Sequence, residues 1–202
     1  MSVFFHMIIL TACISISGQL QAQKTALLLI DIQDFYFPGG SLALENPEQA
    51  GMNAGLILEQ FRKKDYPVYH VRHNFEPGGN IHKYVKPAEG EPVFSKDQVN
   101  AFLDTELLET LRRDSIESLV ICGMQTHMCV EAAVRAAHDH GFTCMLVQDA
   151  CATRALQYEE HIITAKNVHF STIRTLLGSY TRVLSAAELI DDFEQIVFQR
   201  AK

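Results

Sequence analysis

The chain has 202 residues, 48% of them hydrophobic and 20% charged. That is enough for one domain with a sizeable core, and too apolar for a disordered chain. Its 17 Lys and Arg against 24 Asp and Glu give a formal charge of -7. No basic patch suited to phosphates is visible, which argues against a nucleic-acid partner, and no internal repeat indicates a solenoid.

Residues 1–22 contain no Asp, Glu, Lys or Arg. An apolar stretch over 4–16 and a small residue, Ala22, before Gln23 resemble a secretory signal peptide, and the segment is too short and interrupted for a membrane span. This reading expects an exported protein, periplasmic or extracellular, whose folded domain is 23–202. Two alternatives stay open: a lipid anchor on Cys13, after Leu10-Thr11-Ala12, or an N-terminal extension on a cytoplasmic enzyme. His6 is the only basic group in the segment.

From Thr25 onward short apolar runs alternate with longer amphipathic ones. Residues 25–32 (TALLLIDI) read as a strand buried on both faces. Pro47 opens a helix to residue 64, with Met52, Leu56 and Phe61 among its apolar positions. A second strand covers 67–72, and a Gly/Pro-rich loop over 74–92 has the length of a lid or binding loop. A helix over 104–113 with Asp104 as N-cap follows, then a strand over 118–122. A turn over 123–126 leads into a helix over 128–140 that ends at Gly141. A strand over 142–147, a helical region over 155–177, a short strand over 182–184 and a helix from Ser185 to 198 complete the chain. Strands alternating with helices predict an α/β fold, a Rossmann-like three-layer α/β/α sandwich with a mainly parallel sheet and right-handed crossovers.

Such sheets bind ligands beyond the carboxyl ends of their strands, where strand order reverses. Two residues with chemistry to offer fall at strand ends. Asp31 closes a Leu/Ile run, where a carboxylate is costly unless it is paired or reactive. Cys129 follows the strand over 118–122. With Thr126 as N-cap it would lie in the first helical turn, where free backbone N–H groups favour a thiolate. A capping role for Asp31, Asp34 as its competitor, and a packing role for Cys129 fit these spacings too. Cys122 and Cys144 lie in apolar runs and read as small buried hydrophobes. Lys96, taken alone, reads as an ordinary lysine.

LLLIDIQDFYF over 27–37, Lys96, GMQTHMCVEAAVRAA over 123–137, DACATR over 149–154 and NVHF over 167–170 together resemble the isochorismatase-like cysteine hydrolases, the group that includes nicotinamidases and related amidases. The resemblance implies catalytic Asp31, Lys96 and Cys129. It also implies a Met124–Gln125 cis peptide and an oxyanion hole from the backbone N–H groups of Gln125 and Cys129. The implied chemistry is thiolate attack on a carbonyl, with Asp31 moving the protons and Lys96 and the helix N-terminus steadying the sulfur. A homodimer or homotetramer is implied as well.

Departures narrow the substrate. Nicotinamidases usually carry an Asp-x-His metal pair after the second strand. Here that region reads His70-Val71-Arg72-His73-Asn74, with His82 further on, so no metal and no other cofactor is expected. Whether His70, His73 or His82 bind one stays open. Isochorismatases that cleave vinyl ethers often lack the cysteine, so Cys129 favours a small amide or related acyl substrate. Phe35, Phe37, His73 and His127 are candidates to line the pocket, although His127, adjacent to Cys129, would point to another helix face. The alternatives are a catalytically silent small-molecule-binding module, an isochorismatase-type ether hydrolase, and a thiol-redox protein pairing Cys129 with Cys122 or Cys151.

Overall fold

The computed structural model describes residues 24–197. The leader expected over 1–22, with Cys13, lies outside the described residues. Strand β1 (Thr25–Ile30) is buried along its whole length, as a near-continuous Leu/Ile run predicts. Helix α1 (Pro47–Lys63) has Pro47 at its first position, and its buried residues Pro47, Ala50, Gly51, Ala54, Ile57, Leu58 and Phe61 recur at helical spacing. Met52 and Leu56, expected on the apolar side, fall off that stripe and are exposed.

Strand β2 (Val68–His73) pairs parallel with β1, and β3 (Val93–Lys96) pairs parallel with β2. Helix α2 (Leu107–Arg113) is shorter than expected. Asp104 does not cap it but sits in a left-handed turn at φ 55°, and the Thr105 hydroxyl accepts the Leu107 N–H. Strand β4 (Ser118–Met124) lies on the other side of β1 and is buried throughout. A wide turn over Thr126–Val130 then precedes helix α3 (Glu131–Asp139).

Strand β5 (Thr143–Ala152) runs past the expected 147, because an irregularity between Ile121 and Gly123 lets pairing resume at Gly123–Cys151. The helical region expected from 155 is corrected. Residues 156–163 form an antiparallel hairpin, β6 (Leu156–Tyr158) with β7 (His161–Ile163), turned at Glu159 with φ 53°. Helix α4 (Ala165–Leu176) starts only after it, capped by Thr164. Strand β8 (Arg182–Leu184) pairs parallel with β5. The last helix is split into α5 (Ala186–Asp191), with a Ser185–Glu188 capping box, and α6 (Phe193–Val197).

The main sheet has the order β3-β2-β1-β4-β5-β8 with every pairing parallel. Helices α1 and α5 contact one another, as do α3 and α4, and right-handed crossovers put these pairs on opposite faces. This is the α/β three-layer sandwich predicted. The chain runs outward from β1 to β3, then returns to β4 on β1's other side. The strand order therefore reverses between β1 and β4, where parallel sheets of this type place their sites. Among the described residues no helix is long and apolar enough to cross a membrane.

The edge strand β3 has four residues, mostly outside the core, and a polar knot before it supplies what its packing does not. Glu91 takes a two-pronged contact of 2.7 Å per prong from Arg62 on α1. It also accepts the Ala88 N–H at 2.9 Å and pairs with His70 Nε2 on β2 at 2.9 Å. Burial opposes the Glu91 charge, but Arg62, the Ala88 N–H and His70 outweigh it and hold the carboxyl down at about 2. The unfolded chain, with a glutamate near 4.5, therefore takes up this proton first, and stability falls as pH drops through 4.5 toward 2. Burial also holds His70 below 6.5, so its protonation favours the unfolded chain from there downward. Glu91→Gln is expected to lower stability by about 1–2 kcal/mol at neutral pH, after allowance for screening. Thermal melts at pH 7 and pH 4 check this: the gap between variant and wild type should narrow at pH 4.

Candidate active site

Asp31 leaves β1 with its N–H donated to Val71 of β2 at 2.9 Å and its backbone at φ 49°. Asp is among the few residues that tolerate that left-handed conformation. Its side chain is thereby turned across the strand ends, fully buried. Beside it, β4 comes so close to β1 that a Cβ on Gly123, at φ 141°, would lie 1.9 Å from the Ile30 carbonyl oxygen. Glycine at 123 thus sets how near the turn bearing Cys129 lies to Asp31.

Lys96 comes from the end of the edge strand, with β2 between it and β1. Its ammonium, also buried, lies 2.7 Å from Asp31 Oδ2 and 3.4 Å from Cys129 Sγ. Three residues from three strand ends, separated by up to 98 positions in the chain, thus meet at one point. The Asp31–Lys96 contact is an ion pair rather than an aligned hydrogen bond, and neither Asp31 oxygen has an aligned donor among the described residues. A buried carboxylate without its hydrogen bonds is costly for folding alone, and it is what a proton acceptor requires.

The electrostatics run against one expectation: burial, and then the charge of Asp31, push the Cys129 thiol up to about 12, against the opposing pull of Lys96. Burial likewise raises Asp31 above 3.8, although Lys96 acts to lower it. The local helix geometry is also not the one expected. Thr126 is not the N-cap. The turn over Thr126–Val130 is wound wider than an α-helix, with the Val130 N–H reaching the Gln125 carbonyl at 3.2 Å. Thr126 sits inside it, fully buried, and its hydroxyl meets His169 Nδ1 on α4 at 3.0 Å. The Met124–Gln125 peptide is cis.

The family model described as the isochorismatase domain matches residues 25–176. The chain belongs to the isochorismatase family. It is 45% identical over 170 residues to the Bacillus subtilis protein YddQ, an uncharacterised member, covering 79% of this chain and 94% of that one. A crystal structure of an isochorismatase hydrolase from Oleispira antarctica superposes with a TM-score of 0.81 at 40% identity, over 86% of this chain and all of the other. More distant relatives include a maleamate amidohydrolase of Pseudomonas putida, 26% identical over 65% of this chain and 74% of its own. A streptothricin hydrolase of Streptomyces noursei is 29% identical over 63% of this chain and 54% of its own.

Around the isochorismatase-family cluster, several polar side chains hold the parts in place, and sequence reasoning singled out neither Gln33 nor the bonds that the Gln125 and His127 side chains make. Gln33, fully buried two residues after Asp31, accepts the His73 N–H at 2.8 Å and donates to the His73 and Gly79 carbonyls at 2.9 and 2.7 Å. A glutamine between Ile32 and Asp34, directly behind a fully buried strand, was the signal available for it. The Gln125 side chain donates to the Tyr36 hydroxyl at 3.4 Å. His127 meets Thr153 just after β5 at 2.6 Å, so the turn bearing Cys129 is tied down by a Thr–His pair on either side.

The remaining candidates are spread out. His73 lies against Lys96 at 3.2 Å. Phe35 packs on Tyr36 and Phe75, and Phe37 stacks on His82 at 3.5 Å. Both phenylalanines border a hollow of about 580 Å³ lined also by Asp34, Pro77 and Gly78, with none of Asp31, Lys96 and Cys129 in its wall. His70, His73 and His82 each have a different partner, and no group of three potential metal ligands is present among the described residues. Cys122 and Cys144 are buried as expected, and all four described cysteines are free thiols.

Proposed function

We propose that this isochorismatase-family hydrolase cleaves a small amide or related acyl substrate through a thioester on Cys129. The observation that carries the reading is the meeting of Asp31, Lys96 and Cys129 in one buried cluster, with the ammonium 2.7 Å from the carboxylate and 3.4 Å from the sulfur. With the thiol at about 12, attack and deprotonation occur together: Sγ bonds the carbonyl carbon as its proton passes to Asp31. Lys96 steadies the charge that grows on sulfur. The oxyanion is received by the N–H groups of Gln125 and Cys129. Asp31 returns the proton to the leaving nitrogen and the C–N bond breaks, releasing ammonia or an amine. Asp31 then takes a proton from water as its oxygen attacks the thioester, and the acid leaves as the thiol is restored. The kinship to a maleamate amidohydrolase supports an amide C–N bond as the target.

A panel of primary amides and lactams scored for ammonia or amine release tests the reading. The wild type should turn over at least one, and Cys129→Ala none. Acid quenching during turnover should leave Cys129 heavier by the acyl group in the intact-mass spectrum. Equal turnover by Cys129→Ala would sink the proposal. A second reading, a redox thiol, predicts instead a reversible disulfide on Cys129 and no dependence on Asp31.

A further inference from the structure

An ammonium has three hydrogens and no lone pair, so a fully buried one needs three acceptors. Three groups able to accept surround Lys96: Asp31 Oδ2, in ion-pair contact at 2.7 Å, and His73 Nδ1 and Cys129 Sγ, in hydrogen bonds of 3.2 and 3.4 Å. Because Lys96 can only donate, His73 must accept at Nδ1, which places its single ring proton on Nε2 and keeps the ring neutral. Burial, then the Lys96 charge, work against protonating that ring. His73 is itself held in register. Buried Gln33 bonds both its N–H and its carbonyl, and Gln33 lies two residues from Asp31. The placement of His73 against Lys96 is therefore tied to the same strand end as the carboxylate.

We propose that His73 is a positioning residue for the reaction, the neutral third acceptor that aims one Lys96 N–H at the Cys129 sulfur. The need for it lies in Asp31 Oδ1, a buried acceptor with no aligned donor. Without His73 the ammonium turns its freed hydrogen toward that oxygen, and the contact to sulfur, the weakest acceptor of the three, is the one lost. The inference rests on the reading of Cys129 as the nucleophile, but the amide chemistry is not needed to test it.

The test is the rate of Cys129 alkylation by iodoacetamide at pH 8, mapped by mass spectrometry, in His73→Leu, His73→Asn and His73→Gln. Asn places a carbonyl oxygen near the position of Nδ1, whereas Gln carries its carboxamide one bond further out. His73→Leu and His73→Gln should react about tenfold more slowly than wild type, as loss of one buried charged hydrogen bond implies. His73→Asn should stay within about threefold. If His73→Leu does not fold, the contrast between Asn and Gln carries the test. Wild-type rates in Leu or Gln, or an Asn variant as slow as those two, overturn the proposal. The slow-Leu, fast-Asn pattern in a protein that releases nothing from any amide would overturn the amide reading and leave this one standing.

Discussion

Asp31→Asn is expected to abolish turnover while making Cys129 easier to alkylate, two effects that a merely structural aspartate would not produce together. Turnover should fall by about a thousandfold, within the usual range for removing a general acid–base group. Asn tolerates the backbone at φ 49° and fills the same space, so the loss is not one of shape. The thiol, by contrast, is raised by burial and next by the Asp31 charge, while Lys96 pulls the other way. Removing the carboxylate leaves Lys96 unopposed, the thiol becomes more acidic, and iodoacetamide reacts faster at pH 8. Turnover unchanged in Asp31→Asn removes Asp31 from the reaction. Slower alkylation would mean that the carboxylate activates the resting sulfur, contrary to its charge. The pH profile of kcat/KM gives an independent check. Asp31 must be ionised to accept the proton, and burial raises it above 3.8, so activity should fall with acid through a pKa above the ordinary aspartate value.

The central strands were legible because burial on both faces demands uninterrupted apolar runs: LLLI before Asp31 and LVICGM before Gln125 have no other comfortable place. Their ends, and with them two corners of the site, followed. Strand β3 was not legible, since an edge strand with an exposed Val93 and Ser95 needs only main-chain pairing with β2. The hairpin over 156–163 was hidden for a similar reason, being solvent-facing and too short for a period to declare itself. The high pKa of Cys129 had no local signature. Cys129 sits in a first turn, a setting that favours a thiolate, and only the fold brings Asp31 and the surrounding apolar packing onto it. Gln33, and the contact that His73 makes with Lys96, escaped for the same reason: the partners are 40 and 23 residues away.

Lys96→Met should be the most destabilising of the changes at the site, by about 3–5 kcal/mol at neutral pH, because it strands a buried carboxylate. The shape of the loss against pH identifies its cause. In the wild type the Lys96 charge opposes the rise that burial imposes on Asp31. Without Lys96 that opposition is gone and the folded-state pKa climbs further above the unfolded value. The folded chain then holds the proton more tightly than the unfolded chain. The variant is therefore least penalised below about pH 3.9, and its penalty grows as pH rises through the interval up to the folded pKa. This is the reverse of the acid sensitivity that Glu91 and His70 give the wild type, so the two melting curves should converge on acidification. The double variant Asp31→Asn with Lys96→Met removes both charges and should regain most of the loss, since a well-packed apolar and amide pair often replaces a buried ion pair at little cost. A double variant as unstable as Lys96→Met alone would mean that the lysine stem, lying across the end of β2, holds the edge of the sheet by packing, and that its charge belongs to the chemistry.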